Sequence, residues 1–135
     1  MVSSPVPPRA TLPAGESSIL VVEDEFLVRL IISDELRAAG YNVIEAVDAE
    51  EGIAILKSGA RVDLILSDVR MPGPLDGLGL LAFVKESYPI IPVIITSGHL
   101  LAEEALADGA TRFLPKPYTL PNALKLIEGE LEKGQ

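Results

Sequence analysis

The chain has 135 residues, 48% of them hydrophobic and 23% charged, with a net charge of -9, which suits one soluble folded domain. Only 4% of the residues are aromatic and there is no Trp, so the core must be built from Leu, Ile, Val and Ala. The absence of Cys excludes disulfides and thiolate chemistry, the single His speaks against a zinc site built on histidines, and the acidic balance speaks against a nucleic-acid surface.

Residues 1–18 are rich in Pro and Ser and carry no apolar period, so they read as a flexible tail. They lack the apolar stretch of a secretory signal, and no run in the chain approaches the roughly 20 apolar residues of a membrane span. The ordered domain is expected over 19–132, with 133–135 as a short C-terminal tail. Ile19–Val22 is a fully apolar strand. Phe26, Leu27, Leu30, Ile31 and Leu36 recur at helical spacing and predict a helix over 26–39, closed by Gly40. A second strand follows at 42–46. Asp48 and Glu51 form a capping-box pattern that opens a helix to about Ser58.

The third strand is expected over 62–67, and Asp76 can cap a helix over 77–87. A fourth strand is expected over 92–96, and a short helix over 100–108 is ended by Gly109. The fifth strand is expected over 112–114. The last helix is expected over 120–132, with Pro121 tolerated in its first turn. Five strands, apolar on both faces and alternating with helices, predict a doubly wound parallel sheet of the α/β class. Ligands of such sheets sit at the carboxyl ends of the strands.

The polar residues at those ends are Glu23, Asp24 and Glu25 after the first strand, and Asp68 after the third. Ser97, Gly98 and His99 follow the fourth, and Lys116 and Pro117 the fifth. Crowded carboxylates repel unless a positive charge joins them. A hard divalent cation with oxygen ligands would join them, leaving an ammonium and a hydroxyl as donors to an anion. Such a set suits a transferring phosphoryl group.

Taken together, ILVVEDE at 19–25, LILSDVRMPGP and DGL within 64–78, PVIITSG at 92–98 and DGATRFLPKPY at 108–118 resemble the receiver domain of two-component response regulators. The resemblance covers 19 to about 132, and its pieces run in the family's order. It implies a flavodoxin-like sheet with strand order 2-1-3-4-5. It makes Asp68 the phosphate acceptor and Asp24 a direct Mg²⁺ ligand, with Mn²⁺ as an alternative ion. Glu23 would hold a metal-bound water, and the backbone carbonyl of Arg70 would complete the metal site. Lys116 would pair with phosphoryl oxygens, and the Lys116–Pro117 bond would be cis. Ser97 would be the switch hydroxyl; Thr96 competes, but counting from Pro92 puts Ser97 in register. Phe113, three residues before Lys116, would be the aromatic switch. Arg70 and His99 would flank the incoming water and tune dephosphorylation.

The implied partners are a sensor histidine kinase or phosphotransfer protein and a downstream protein, with no direct nucleic-acid or membrane contact. The resemblance also implies a cytoplasmic protein, monomeric or weakly dimeric through the face of the fourth helix, fifth strand and fifth helix. The expected chemistry is autocatalytic phosphoacceptance without turnover on other substrates, and with no effector domain read after the last helix. Two departures stand out: the loop after Asp68 is one residue longer than the usual Met-Pro-x-x-Asp-Gly, and the stretch between Ser97 and Gly109 is short. Rival readings are a pseudo-receiver binding module, a receiver cut from a longer regulator, and a haloacid-dehalogenase-like phosphatase. The phosphatase needs a second Asp where Arg70 stands. A dinucleotide site would need a glycine-rich turn where the chain reads Val-Glu-Asp-Glu.

Overall fold

The computed structural model describes residues 17–100 and 102–134. Five strands alternate with five helices: β1 (Ser18–Val22), α1 (Phe26–Ala38), β2 (Asn42–Ala46), α2 (Ala49–Lys57) and β3 (Leu64–Asp68) come first. Then follow α3 (Gly77–Ser87), β4 (Val93–Ser97), α4 (Ala102–Ala107), β5 (Arg112–Pro115) and α5 (Leu120–Lys133). All four strand pairings are parallel, in the order β2-β1-β3-β4-β5. The order reverses between β1 and β3, so the crevice between these two strand ends is where the topology opens a site.

Alternation along each strand feeds two cores. Leu20, Val22, Ile65 and Ile95 pack on one side against Leu56 of α2, Leu80 and Leu81 of α3 and Ala105 of α4. Ile19, Val21, Leu66 and Ile94 pack on the other side against Ile32 and Leu36 of α1 and Ile127 and Leu131 of α5. Each fully buried Leu or Ile contributes about 1.5–3 kcal/mol of hydrophobic free energy, so the sheet is clamped from both faces.

Local chemistry sets the helix ends. Asp48 accepts the Glu51 N–H at 2.8 Å while the Glu51 carboxylate accepts the Val47 N–H at 2.8 Å. Asp76 and Thr119 cap α3 and α5 through the N–H groups of Gly79 and Asn122. Gly40, at φ 99°, takes the left-handed turn after α1 and returns its N–H to the Arg37 carbonyl.

Several boundaries differ from the sequence reading for identifiable reasons. Residues 1–16, most of the expected tail, lie outside the described residues. Ser17 and Ser18 are buried, and Ser18 already belongs to β1, paired with Asn42. β3 and β4 begin later and run on to include Asp68 and Ser97, which pair with Thr96 and Pro115. Val62 and Asp63 stand outside β3. Pro92 has no N–H to donate, and its carbonyl accepts from Ile65 at 3.0 Å. Leu100 lies outside α4, and its N–H is bound by the Ser97 hydroxyl at 3.0 Å. β5 reaches Pro115, and α5 continues to Lys133, whose ammonium pairs with Glu130 at 3.0 Å.

Candidate functional site

At the carboxyl edge of the sheet, the ends of β1, β3, β4 and β5 converge. Asp68 closes central strand β3 and is 8% exposed. One of its oxygens accepts the Val69 N–H at 2.9 Å, and the other faces Lys116 Nζ at 3.3 Å. Glu23, directly after β1, is 4% exposed; it accepts from Lys116 Nζ at 2.9 Å and from the Glu25 N–H at 3.1 Å. Asp24 is exposed beside them, and carboxylate oxygens of Glu23, Asp24 and Asp68 lie within 4.8 Å of one another. Lys116 is held at the end of β5 by its N–H bond to the Ser97 carbonyl at 3.0 Å, and its peptide to Pro117 is cis.

A cleft of about 250 Å³ opens over this group, lined among others by Asp24, Asp68, Arg70, Ser97, His99 and Lys116. Ser97 is buried at its rim, and its Oγ accepts the N–H groups of His99 and Leu100 at 3.0 Å each. With both acceptor positions engaged, the hydroxyl hydrogen is left to be donated. Gly77 presses on the site from behind. A Cβ there would overlap the Asp68 carbonyl oxygen and the Val69 Cα, and the Gly77 N–H binds the Val69 carbonyl at 2.8 Å.

The electrostatics follow from burial. Burial pushes the Glu23 and Asp68 carboxyls above the ordinary range, against the pull of Lys116. Burial by itself would lower Lys116, but its bonds to Glu23 and Asp68 outweigh this and raise it. One ammonium thus keeps two buried carboxylates together. The donor set also fits a hard divalent cation: it is all oxygen, it is clustered, and Asp24 stands in solvent, where waters would supply further oxygen ligands.

Most residues singled out from sequence come together here. Glu23 and Asp68 also border, with Thr96 and Tyr118, a small void of about 10 Å³ on the α1 side of the sheet. Ser97 and Thr96 therefore face opposite ways, and Ser97 is the one that borders the cleft. Phe113 does not reach the cleft. It is half-buried and packs against the core on the α2, α3 and α4 side of the sheet, in register with Ile95 of β4. Sequence reasoning missed Tyr118, whose phenol is pushed up by burial with Lys116 opposing. It also missed Arg29, which donates to the Glu23 carbonyl at 2.8 Å. Tyr118 was within reach, since it stands two residues after the lysine; Arg29 carries no such positional signal.

The described residues contain no helix long and apolar enough to cross a membrane. The family model described as the response regulator receiver domain matches residues 19–128. Among curated relatives, the chain is 37% identical over 120 residues to the DNA-binding transcriptional regulator NtrC of Salmonella typhimurium, covering 87% of this chain and 25% of that one. It is 37% identical over 131 residues to the sensor kinase CckA of Brucella abortus, covering 93% of this chain and 14% of the relative. The chain therefore spans a quarter or less of these relatives' lengths. The crystal structure of the receiver domain of NtrX from Brucella abortus superimposes with a TM-score of 0.78 at 34% identity, over 84% of this chain and 98% of that one. The parallel 2-1-3-4-5 sheet, the acid-and-lysine cluster at its carboxyl edge and these likenesses agree: the chain belongs to the response regulator receiver domain family of two-component signal transduction.

Proposed function

We propose that this domain is a phosphorylation switch with Asp68 as its acceptor and that it signals by binding another protein. The observation carrying this reading is the placement of Asp68: a carboxylate at the end of the central strand, 3.3 Å from Lys116 Nζ and grouped with Glu23 and Asp24 under an open cleft. One Asp68 oxygen attacks phosphorus on the donor, a phosphohistidine. The P–N bond breaks, and its electron pair stays on the imidazole nitrogen, leaving an acyl phosphate on Asp68. A divalent cation held by Asp24, Asp68 and the Arg70 carbonyl, with Glu23 acting through a water, would neutralise charge on the phosphoryl oxygens. Lys116 exchanges its carboxylate partner for a phosphoryl oxygen, and Ser97 turns its hydroxyl hydrogen towards another. The domain supplies catalytic groups for its own modification and does not turn over other substrates.

The donor in this reading is a histidine kinase or phosphotransfer protein in the cytoplasm. The surface beside the cleft supports a protein donor. Phe26, at 62% exposure, Leu27 and Ile31 stand in solvent on α1, next to a groove of about 440 Å³ lined by Val28, Ile31, Pro117, Tyr118 and Leu120. Arg70 at the cleft rim screens the acyl phosphate from water, which makes its hydrolysis slow.

Intact-protein mass after incubation with Mg²⁺ and acetyl phosphate tests the reading. One added phosphoryl group is expected on the wild type, lost in alkali and absent from Asp68→Asn. A label that persists in Asp68→Asn, or a wild type left unlabelled by both acetyl phosphate and phosphohistidine donors, rejects it.

A further inference from the structure

Arg29 lies on the second turn of α1 and faces inward, with its side chain only 12% exposed. Its guanidinium meets three groups at once. Nε donates to Glu45 Oε1 on β2 at 3.2 Å, one terminal nitrogen donates to the Glu23 backbone carbonyl at 2.8 Å, and the plane lies over the Phe26 ring with 5.6 Å to its centroid. Glu45 is fixed in turn by Arg37, 3.0 Å away. The Glu23 N–H is bound to the Ala46 carbonyl at 3.0 Å. The Glu23 backbone, which launches the acidic turn, is thus held through its N–H by the sheet and through its carbonyl by a charged donor. Arg29 touches neither Asp68 nor Lys116 among the described residues; it meets the site only through that carbonyl.

We propose that Arg29 is a positioning residue for the acidic turn. It fixes the Glu23 carbonyl so that the Glu23 and Asp24 carboxylates stay convergent with Asp68 and ready for a divalent cation, with Glu45 as the counter-ion that holds the guanidinium in place. The proposal rests on the receiver reading for its cation, but the geometry it asserts exists without one. A guanidinium suits the task because its planar fork can bond a carboxylate and a carbonyl together; an ammonium on a flexible stem is not preorganised for both. The effect is that of an outer-shell partner, whose loss weakens metal sites by about 10–100-fold.

Arg37 supplies the control. It pairs with the same Glu45 and with Asp34, and bonds the Val43 carbonyl, but it does not touch the acidic turn. Two readouts are taken on wild type, Arg29→Gln, Arg29→Lys and Arg37→Gln. The first is Mn²⁺ affinity by electron paramagnetic resonance. The second is amide hydrogen exchange of metal-free protein at Glu25, whose N–H bonds the Glu23 carboxylate. Arg29→Gln is expected to weaken Mn²⁺ binding at least about ten-fold and to speed exchange at Glu25, with Arg29→Lys shifted the same way. Arg37→Gln is expected to stay within about two-fold of wild type, as for an exposed pair. Unchanged readouts in both Arg29 variants, or equal losses in Arg37→Gln, overturn the proposal. A wild type that binds no Mn²⁺ counts against the receiver reading instead, and exchange at Glu25 then decides the positioning role by itself.

Discussion

Asp63, just before β3, and Asp68, its last residue, stand five residues apart, and both are buried. Asp63, 1% exposed, accepts the Ser18 N–H at 2.8 Å and is bound by Arg61 at 3.1 Å. Its own N–H returns to the Ser18 carbonyl at 2.8 Å. It ties the start of β1 to the start of β3. Asp68 has one fixed backbone donor and one lysine shared with Glu23, and it borders an open cleft. A buried carboxylate with a fixed backbone donor locks two strands together. One whose second partner is an ammonium shared with Glu23, and whose charged form burial opposes, stands at a cost in stability beside the cleft. Side-chain type is the same at both ends; the partners decide the role.

The largest expected effect tests the backbone behind the reactive end. Gly77→Ala places a methyl into the Asp68 carbonyl and the Val69 backbone. Unfolding in urea should show a loss of about 3 kcal/mol, as for overpacking against rigid neighbours. Wild-type stability in Gly77→Ala would mean that the loop yields there and that Asp68 is less firmly seated than described.

The two aspartates themselves should respond with opposite signs. Asp63→Ala leaves a buried N–H without its acceptor and should destabilise by about 2 kcal/mol. Asp68→Asn should raise the melting temperature of metal-free protein. The folded-state pKa of Asp68 is raised above its unfolded value, so its stabilising contribution is present below the ordinary Asp range and is lost as pH rises through the folded pKa. The advantage of Asp68→Asn over wild type is therefore small at pH 4 and grows towards pH 7, readable from urea midpoints across that range. A gap that shrinks as pH rises would reverse the assignment of cost at this site.

The smallest expected effect lies away from both ends. Ser33 in α1 is fully buried, and its hydroxyl has no hydrogen-bond partner among the described residues. Ser33→Ala should leave stability unchanged or raise it by roughly 0.5 kcal/mol in calorimetry, since an unpaired buried hydroxyl contributes nothing.

Much of the site was legible because β strands surface at their ends. Asp68, Ser97 and Lys116 each stand where an apolar run stops, and chain order alone brings them to one edge. Asp63 was not legible, because Val62-Asp63-Leu64 reads as the opening of a strand and its partner Ser18 is 45 residues away. The Arg29–Glu45 pair was hidden for a similar reason. A charge on a helix and a charge on an edge strand each look like solvated surface until the packing of α1 on β2 brings them together. The Lys116–Glu23 bond spans 93 residues. Sequence gave the two groups to one edge but not which carboxylate the lysine prefers. Phe113 shows the converse: its place three residues before Lys116 is plain in the chain, yet position along β5 does not say whether the ring borders the cleft.

The loop after Asp68 carries one residue more than the common pattern, and its two ends are stapled together by the Gly77 N–H on the Val69 carbonyl. Gly73, at φ 98°, makes the turn against Glu50 of α2, while Met71 and Leu75 rest on the core. Whatever length the chain takes between 70 and 76, the staple returns it to the same point. A change of length confined to residues 71–75 is therefore expected to leave the Asp68–Lys116 distance as it is, while Arg70 stays at the cleft and Asp76 at the cap of α3.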